Sequence, residues 1–141
     1  FRHRLVPYLY HTACQSHQSG IPMIRPLVME YPKDPIAKTQ NLSYMLGDAL
    51  LISPGFDRDE YELYLPEGRW QDIESKEVYE GMTFVHIENK AFADGGTSLR
   101  VFQKEGTSIP LFAQKEVLHV PAQLWKQEDL EFMIFQKKDV D

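Results

Sequence analysis

Apolar and polar residues follow two different periods along the chain, a helical one first and an extended one later. At the start, small and apolar residues recur at helical spacing, namely Leu5, Tyr8, Leu9, Thr12 and Ala13. Gly20 followed by Pro22 predicts where this helix ends, because glycine caps helices well and proline cannot continue them.

Residues 21–31 form a mostly apolar run, which predicts a short buried strand even though the run contains two prolines. A proline-containing turn comes next, and Asp34 is suited to cap a short helix from Pro35 to about Ser43. Helix, strand, turn and helix at this spacing are typical of an α/β unit. Residues 1–43 are therefore predicted to be a short α/β segment.

The stretch 44–54 separates the two halves of the pattern. Gly47 and Asp48 favour a turn, and the apolar run 49–52 that follows them stops at Pro54. A short apolar run with a breaker on each side predicts a strand buried on both faces. Because the pattern is mixed before this stretch and only extended after it, we place a domain junction between residues 43 and 44.

Beyond the junction the sequence predicts strands and turns only. The extended segments lie at 61–65, 70–73, 78–79, 83–87, 98–102, 108–112 and 130–135. Turn residues separate them, as at Pro66-Glu67-Gly68, Asp94-Gly95-Gly96 and Glu105-Gly106. Short strands about ten residues apart predict an antiparallel β-sandwich or barrel. The predicted fold is therefore mainly β: an antiparallel sandwich preceded by a short α/β segment.

Composition narrows the class of protein. Hydrophobic residues make up 43% of the 141 residues and charged residues 26%, as in folded globular proteins. The net charge of -6, with no basic stripe, argues against a nucleic-acid partner. No apolar run approaches the ~20 residues of a membrane span, so no membrane partner is expected. The single cysteine excludes an internal disulfide and favours a reducing compartment such as the cytoplasm.

The first helix carries three residues of types that bind metals. His11, Cys14 and His17 are three residues apart, but steps of three spread side chains over a broad arc, and no second cysteine completes a ligand set. A small buried cysteine flanked by half-exposed histidines is the favoured interpretation. We therefore predict no metal and no cofactor.

Carboxylates are the next candidates, because glycoside hydrolysis requires two of them facing one bond. Asp57, Asp59 and Glu60 cluster in a polar turn, which favours a solvated loop. Near the end of the predicted strand lie three further charged residues, Arg25, Glu30 and Asp34. Since α/β-barrel sites are built at strand ends, these three are our candidates for residues close to substrate or supporting it.

Aromatic residues offer a second way to bind sugar. Trp70, Tyr79 and Trp125 could stack on sugar rings, although core packing or an interdomain contact is the favoured role. The sequence contains no nucleophile elbow and no glycine-rich phosphate loop. From the residues alone, no catalytic machinery is visible.

Six segments taken together resemble glycoside hydrolase family 31, which comprises α-glucosidases, α-xylosidases and relatives. They are Arg4-Leu-Val-Pro-Tyr-Leu-Tyr10, Gly20-Ile-Pro-Met-Ile-Arg-Pro-Leu27, Glu30-Tyr-Pro-Lys-Asp-Pro35, Tyr44-Met-Leu-Gly-Asp-Ala-Leu-Leu-Ile-Ser-Pro54, Tyr64-Leu-Pro-Glu-Gly-Arg-Trp70 and Val101-Phe-Gln-Lys-Glu-Gly-Thr-Ser-Ile-Pro110. The form of the fourth and fifth segments is nearest to the α-xylosidase branch. The chain departs from the usual pattern around residues 90–97.

The resemblance implies a domain map. Residues 1–43 would be the last helix, strand and helix of a (β/α)8 catalytic barrel, and residues 44–141 the proximal C-terminal β-sandwich. The family is retaining, with an aspartate nucleophile and an aspartate acid/base on earlier barrel strands, so neither role is assigned to any residue here. Gly47 and Asp48 would lie at the domain seam, where we expect Asp48 to anchor backbone rather than contact sugar.

The chain is accordingly expected to be a fragment of a larger enzyme, since it begins at Phe1 as though within a helix. Its expected partners are the rest of the catalytic barrel and, for the whole enzyme, an α-linked oligosaccharide or glycoside. The fragment itself is expected to be inactive and to brace the barrel. The alternative is a non-catalytic carbohydrate-binding or structural β-sandwich module.

Overall fold

The computed structural model describes residues 1–56, 58–88, 99–113 and 122–138, which form two α-helices, several 3-10 turns and ten β-strands. The chain opens with a 3-10 turn, Arg2–Leu5, which runs directly into helix α1, Val6–Ser19. Gly20 ends the helix in the left-handed conformation, with φ of 76°, and its N–H donates to the Ser16 carbonyl at 2.9 Å. The predicted first helix and its glycine stop are confirmed.

The strands and short helices follow in this order. They are β1 Ile24–Pro26, α2 Leu27–Glu30, β2 Tyr44–Leu46, β3 Leu50–Pro54, β4 Glu60–Leu65, β5 Arg69–Asp72, β6 Val78–Glu80, β7 Thr83–Glu88, β8 Leu99–Lys104, β9 Thr107–Phe112 and β10 Leu130–Phe135. Single 3-10 turns occur at Ala37–Thr39, Ala122–Leu124 and Gln127–Asp129.

All strand pairs among these residues are antiparallel. Six strands form the central sheet in the order β1-β2-β3-β8-β5-β6, and two separate ladders pair β4 with β7 and β9 with β10. The mainly β, antiparallel sandwich that the sequence predicts is confirmed, and strands β5 and β6 form a hairpin across residues 73–77.

Strand β3 lies at the centre of three layers. On one face of the central sheet, Leu51 belongs to a core shared with Leu63 and Ile87 of the β4–β7 ladder. On the other face, Leu50 and Ile52 belong to a core shared with α1 and the β9–β10 ladder. Successive side chains of a strand point to opposite faces, so a strand covered on both sides must be apolar throughout. This explains the uninterrupted apolar residues 50–52 and confirms the predicted strand buried on both faces.

Two elements between α1 and β2 are shorter than the sequence predicts. The predicted buried strand over 21–31 is only three residues long, and Ile24 and Pro26 on it are exposed. Strand β1 lies at the edge of the sheet, where a proline without an N–H is tolerated, and the chain turns into α2 at once. The predicted helix from Pro35 to about Ser43 is a single 3-10 turn, after which Gln40 is extended.

The order helix, strand, helix therefore holds, with elements shorter than predicted. Strand β1 pairs antiparallel with β2, so hydrogen bonds cross the predicted boundary between residues 43 and 44. The boundary itself stays a prediction. The predicted turn at 94–96, the unusual segment 90–97 and Asp57 lie outside the described residues.

Candidate functional site

Arg25 and Glu30 form a largely buried ion pair at the edge of the sheet. Arg25 is the inward-facing residue of β1 and only 6% exposed. Its Nη1 donates to Glu30 Oε1 at 2.8 Å and its Nε donates to the Pro22 carbonyl at 2.7 Å. A buried guanidinium requires such partners, because desolvating an unpaired charge is costly. The pair holds α2 against β1.

Asp34 is fixed by three hydrogen bonds. Its Oδ1 accepts from the backbone N–H groups of Ile36 at 2.9 Å and Ala37 at 3.2 Å, and its Oδ2 accepts from the Tyr64 hydroxyl at 2.6 Å. Desolvation would raise the pKa of Asp34, but the hydrogen bonds from Tyr64, Ala37 and Ile36 outweigh it and lower that pKa. Burial, together with the nearby Asp34 carboxylate, raises the pKa of Tyr64 to about 12.

Glu30 and Asp34 line the same cleft. It has a volume of about 380 Å³ and lies between the loop after α2 and the turns that carry Glu67 and Met82. Its lining residues are Glu30, Tyr31, Pro32, Lys33, Asp34, Pro35, Glu67 and Met82. Arg25 lies behind Glu30 and does not line this cleft. The structure thus brings two of the three candidate residues together, with the third as the partner of Glu30.

Asp34 lacks the property that a general acid for glycoside hydrolysis needs. A general acid for glycoside hydrolysis is a carboxyl whose pKa is raised, so that it carries a proton at neutral pH. The pKa of Asp34 is lowered, and both its oxygens already accept hydrogen bonds. Asp34 therefore fixes the loop that forms one wall of the cleft.

At the Gly47–Asp48 turn, the group that anchors backbone is Tyr8. Its hydroxyl donates to the Leu46 carbonyl at 2.6 Å and accepts from the Ala49 N–H at 3.3 Å. Burial is the main cause that raises the pKa of Tyr8 to about 12. Asp48 is exposed, and its side chain makes no hydrogen bond within the described part of the chain. The backbone groups of this turn are therefore bound by Tyr8, and the anchoring role expected of Asp48 stays a prediction.

Gly47 is required by this arrangement. Its φ is +67°, its N–H donates to the Met23 carbonyl at 2.7 Å, and a Cβ added there would come within 2.3 Å of the Tyr8 hydroxyl oxygen. Sequence reasoning missed Tyr8, although a tyrosine on the apolar stripe of a helix signals a buried hydroxyl that must find a partner.

The aromatic candidates serve packing. Trp70 is fully buried and its Nε1 donates to the Pro66 carbonyl at 2.8 Å. Trp125 makes edge-to-face contacts with Phe112 and Tyr10, at ring-centroid distances of 4.9 and 5.6 Å. Tyr79 packs against Phe102 in the same geometry at 6.0 Å. The predicted packing role of these residues is confirmed.

His11, Cys14 and His17 are all exposed, so the expectation of a buried cysteine is wrong. The buried face of α1 carries Tyr8 and Thr12, and Cys14 points away from it. No group of three or more His, Cys, Asp or Glu side chains suited to a metal ion occurs within the described ranges. None of the helices described has the length and apolar character needed to cross a membrane.

Comparison with known proteins connects this geometry to a family. Residues 20–116 match the family model described as the glycosyl hydrolase family 31 C-terminal domain. Neutral alpha-glucosidase AB of Homo sapiens is 35% identical over 113 residues, which cover 77% of this chain and 11% of that protein. An alpha-glucosidase of Saccharolobus solfataricus is 29% identical over 119 residues, covering 84% of this chain and 16% of that protein.

Solved structures of related enzymes resemble this chain in fold as well as in sequence. The cycloalternan-forming enzyme from Listeria monocytogenes, in complex with its pentasaccharide substrate, matches 96% of this chain with a TM-score of 0.79 and 33% identity, over 13% of its own length. The family 31 dextranase of Flavobacterium johnsoniae, complexed with glucose, matches 96% of this chain with a TM-score of 0.74 and 28% identity, over 16% of its own length.

The chain spans between about a tenth and a sixth of the length of these relatives. The range matched by the family model begins directly after α1 and includes the edge strand β1 and the central strand β3. The chain belongs to glycoside hydrolase family 31, and over residues 20–116 it corresponds to that family's C-terminal domain.

Proposed function

We propose that this chain is the non-catalytic C-terminal part of a retaining α-glycosidase that acts on α-linked glucosides or xylosides. The observation that carries the proposal is the match of 96% of the chain to 13% of the cycloalternan-forming enzyme, whose structure was solved in complex with a pentasaccharide substrate. The α-glucosidases among the relatives support an α-linked glucoside as substrate. An α-xyloside is also proposed, because the motifs at 44–54 and 64–70 resemble those of the α-xylosidase branch.

Within that enzyme, two carboxylates would cleave the glycosidic bond through a covalent glycosyl-enzyme. We assign neither carboxylate to this chain. For Asp34, the lowered pKa and the hydrogen bonds that its oxygens already accept support a non-catalytic role. Arg25, Glu30 and Asp34 are proposed to support the substrate site from behind, by fixing the loop between α2 and β2.

We further propose that residues 1–43 are the end of a catalytic barrel and that residues 44–141 are a β-sandwich that braces it. Large apolar side chains on and beside β1 and α2 are exposed in the chain by itself: Ile21, Ile24, Val28 and Met29. Apolar side chains grouped in this way are typical of a surface that packs against another part of a protein. The catalytic barrel is the proposed occupant.

The test is an activity assay on two polypeptides, the 141-residue chain and the full-length protein of which it is proposed to be a part. With p-nitrophenyl α-glucoside and α-xyloside, we expect the full-length protein to release p-nitrophenol and the chain alone to release none. The ratio of the two rates decides between glucoside and xyloside. Turnover by the isolated chain, or none by the full-length protein on any α-glycoside, would contradict the proposal.

A further inference from the structure

Two features that lower the stability of the fold line the same cleft, the one that Glu30 and Asp34 also line. We refer to it as the Asp34 cleft. One feature is the Tyr31 hydroxyl, which is buried without a partner among the described residues, and the other is the strained backbone of Met82. The cleft has a volume of about 380 Å³, within the range for small-molecule sites, roughly 300–1,000 Å³. Features that cost stability without serving the fold are expected at binding sites.

The hydroxyl of Tyr31 has a proton to donate and no group that accepts it. Its oxygen is buried and forms no hydrogen bond within the described residues. The Lys104 ammonium lies 5.1 Å from the centroid of the Tyr31 ring, but an ammonium only donates. Burial is the main cause that raises the pKa of Tyr31, so the hydroxyl keeps its proton at neutral pH. A buried donor of this kind is costly until an acceptor reaches it.

Met82 occupies a backbone conformation that suits glycine. Its φ is +58° in the turn between β6 and β7, and the residue is 67% exposed. The turn is fixed, because the Met82 N–H donates to the Leu65 carbonyl at 2.7 Å and the Gly81 N–H donates to the Gly68 carbonyl at 2.6 Å. The left-handed region is unfavourable for a residue with a Cβ, and an exposed methionine gains little burial to offset that strain. The fold alone therefore gives no reason for methionine rather than glycine here.

The walls of the Asp34 cleft are mainly apolar and its rim is polar. Pro32, Pro35 and the Met82 side chain provide C–H surface. On the rim, Lys33 and Glu67 are exposed, and their side chains form no hydrogen bond or ion pair in the part of the chain that the structure describes. Lys33 only donates hydrogen bonds and Glu67 only accepts them. The cleft therefore combines an apolar surface with a donor and an acceptor.

The charges of the cleft favour a neutral ligand. Glu30 is paired with Arg25, and the Asp34 oxygens already accept three hydrogen bonds. The opposite charges of Lys33 and Glu67 offset each other. A ring with neighbouring hydroxyls fits these groups, because a hydroxyl both donates and accepts and the C–H face of the ring can pack on apolar side chains.

We propose that the Asp34 cleft is a non-catalytic binding site for one sugar unit of an oligosaccharide, which accepts a hydrogen bond from Tyr31 and packs on Met82. Glu30 and Asp34 support this site by fixing the loop that carries Tyr31. None of the four apolar side chains proposed to contact the barrel lines the cleft, so the two surfaces are distinct. The position of the site follows from the cleft, whereas the choice of an α-linked glucose unit rests on the proposed function.

The test is a titration of the 141-residue chain with isomaltose, followed by NMR of methionine methyl groups and tyrosine rings. We expect saturable shifts of the Met82 methyl and Tyr31 ring signals, with a dissociation constant in the millimolar range. The ring signals of Tyr61, whose hydroxyl lies 3.0 Å from Ser53 Oγ outside the cleft, should not move. A titration without shifts at Met82 and Tyr31 would overturn the proposal.

Two variants separate binding from folding. Tyr31→Phe removes the unpartnered hydroxyl, and Met82→Gly removes both the side chain and the backbone strain, so neither should lower the free energy of unfolding in urea. Each should weaken isomaltose binding by about fivefold or more. Lys76→Gly is the matched control, because Lys76 is exposed and has a φ of +64° in the turn between β5 and β6, outside the cleft. It should leave the affinity unchanged.

Equal affinities of the Met82→Gly and Lys76→Gly variants would overturn the proposal, as would an unchanged affinity of Tyr31→Phe. Sodium sulfate serves as a second probe, and the same shifts with sulfate would show an anion site and overturn it too. Since no turnover is measured, sugar binding could fail while the full-length protein hydrolyses α-glycosides, and the reverse could also occur. The two proposals therefore fail separately.

Discussion

Gly47 lies where the hydroxyl of Tyr8 reaches the turn between β2 and β3. The two features that require glycine there are separable, because one is backbone conformation and the other is space. Gly20 shares the first, with a φ of 76°, but an added Cβ would meet nothing within 4 Å of it. The two glycines therefore form a matched pair for measuring how much the Tyr8 contact stabilises the fold.

Gly47→Ala should destabilise the chain by about 2–5 kcal/mol. About 1–2 kcal/mol comes from holding alanine in the left-handed region, and about 1–3 kcal/mol from the buried backbone groups of Leu46 and Ala49 that lose the Tyr8 hydroxyl. Gly20→Ala should cost only the first part. The free energies of unfolding in urea measure both, and equal losses would show that the Tyr8 contact contributes nothing.

Tyr64→Phe should lower stability in a pH-dependent way. The variant loses the hydrogen bond to Asp34, which costs about 1–2 kcal/mol at neutral pH, at the low end for charged acceptors because Asp34 is partly exposed. The folded-state pKa of Asp34 is lowered, so its contribution is present above the unfolded pKa near 4 and is lost as the pH falls through the folded value. The difference between variant and wild type should therefore shrink in acid.

Tyr61→Phe is the control for that experiment. The Tyr61 hydroxyl is 3.0 Å from Ser53 Oγ, a neutral partner, so its loss should cost a similar or smaller amount at every pH. Urea unfolding from pH 7 down to pH 2 distinguishes the two variants. A loss in Tyr64→Phe that does not change with pH would contradict the account of Asp34.

For single residues, the sequence predicts local roles better than it predicts long-range hydrogen-bond partners. Asp34 is predicted to cap the following turn, and its Oδ1 does so, but no local pattern indicates that Tyr64 binds Oδ2 from 30 residues away. At the β2–β3 turn, the residue expected to anchor backbone is Asp48, whereas the hydroxyl that binds the backbone there comes from Tyr8, 38 residues before Leu46. Long-range hydrogen bonds depend on how layers pack, which local patterns do not contain.

Among the elements, the β4–β7 ladder carries a cluster of opposite charges on its exposed face. His86 lies across from Glu62, with its Nδ1 2.8 Å from Glu62 Oε1, and its Nε2 is 3.4 Å from Glu60 Oε2. The hydrogen bond to Glu62 is the main cause that raises the pKa of His86, and the charges of Glu62, Glu60 and Glu88 act in the same direction. When the ring is protonated, its contacts with Glu62 and Glu60 link the two strands.

This arrangement predicts that the ladder is more stable at mildly acidic than at alkaline pH. A raised folded-state pKa gives a contribution that is complete below the unfolded value near 6.5 and is lost as the pH rises through the folded value. NMR titration of the His86 ring measures that pKa directly. Glu62→Gln should bring it back toward the ordinary value, and identical titration curves in wild type and variant would contradict the assignment.

Strands were predicted correctly where one face is buried and the other exposed along the strand, or where both faces are buried. The alternating segments at 61–65 and 83–87 became β4 and β7, and the apolar run at 49–52 became the doubly covered β3. Residues 21–31 failed because their apolar side chains are largely exposed in the chain by itself. Apolar content predicts burial, but it does not distinguish a strand of the core from a surface that packs against another domain.

At the scale of the whole molecule, the six-stranded sheet joins the N-terminal segment to the sandwich. Strand β1 pairs with β2, Tyr8 of α1 binds the β2–β3 turn, and α1 packs on the β9–β10 ladder. An element proposed to end a catalytic barrel is thus fixed to the sandwich by hydrogen bonds and by a shared core. This continuity supports the proposed bracing role of residues 44–141.

The most direct test of that role is to delete residues 54–135 from the full-length protein and measure soluble yield and the rate of α-glycoside hydrolysis. The account predicts that both fall sharply, because the deletion removes both ladders and three strands of the central sheet and leaves α1 and β3 without their cores. A truncated protein that stays soluble and fully active would contradict it.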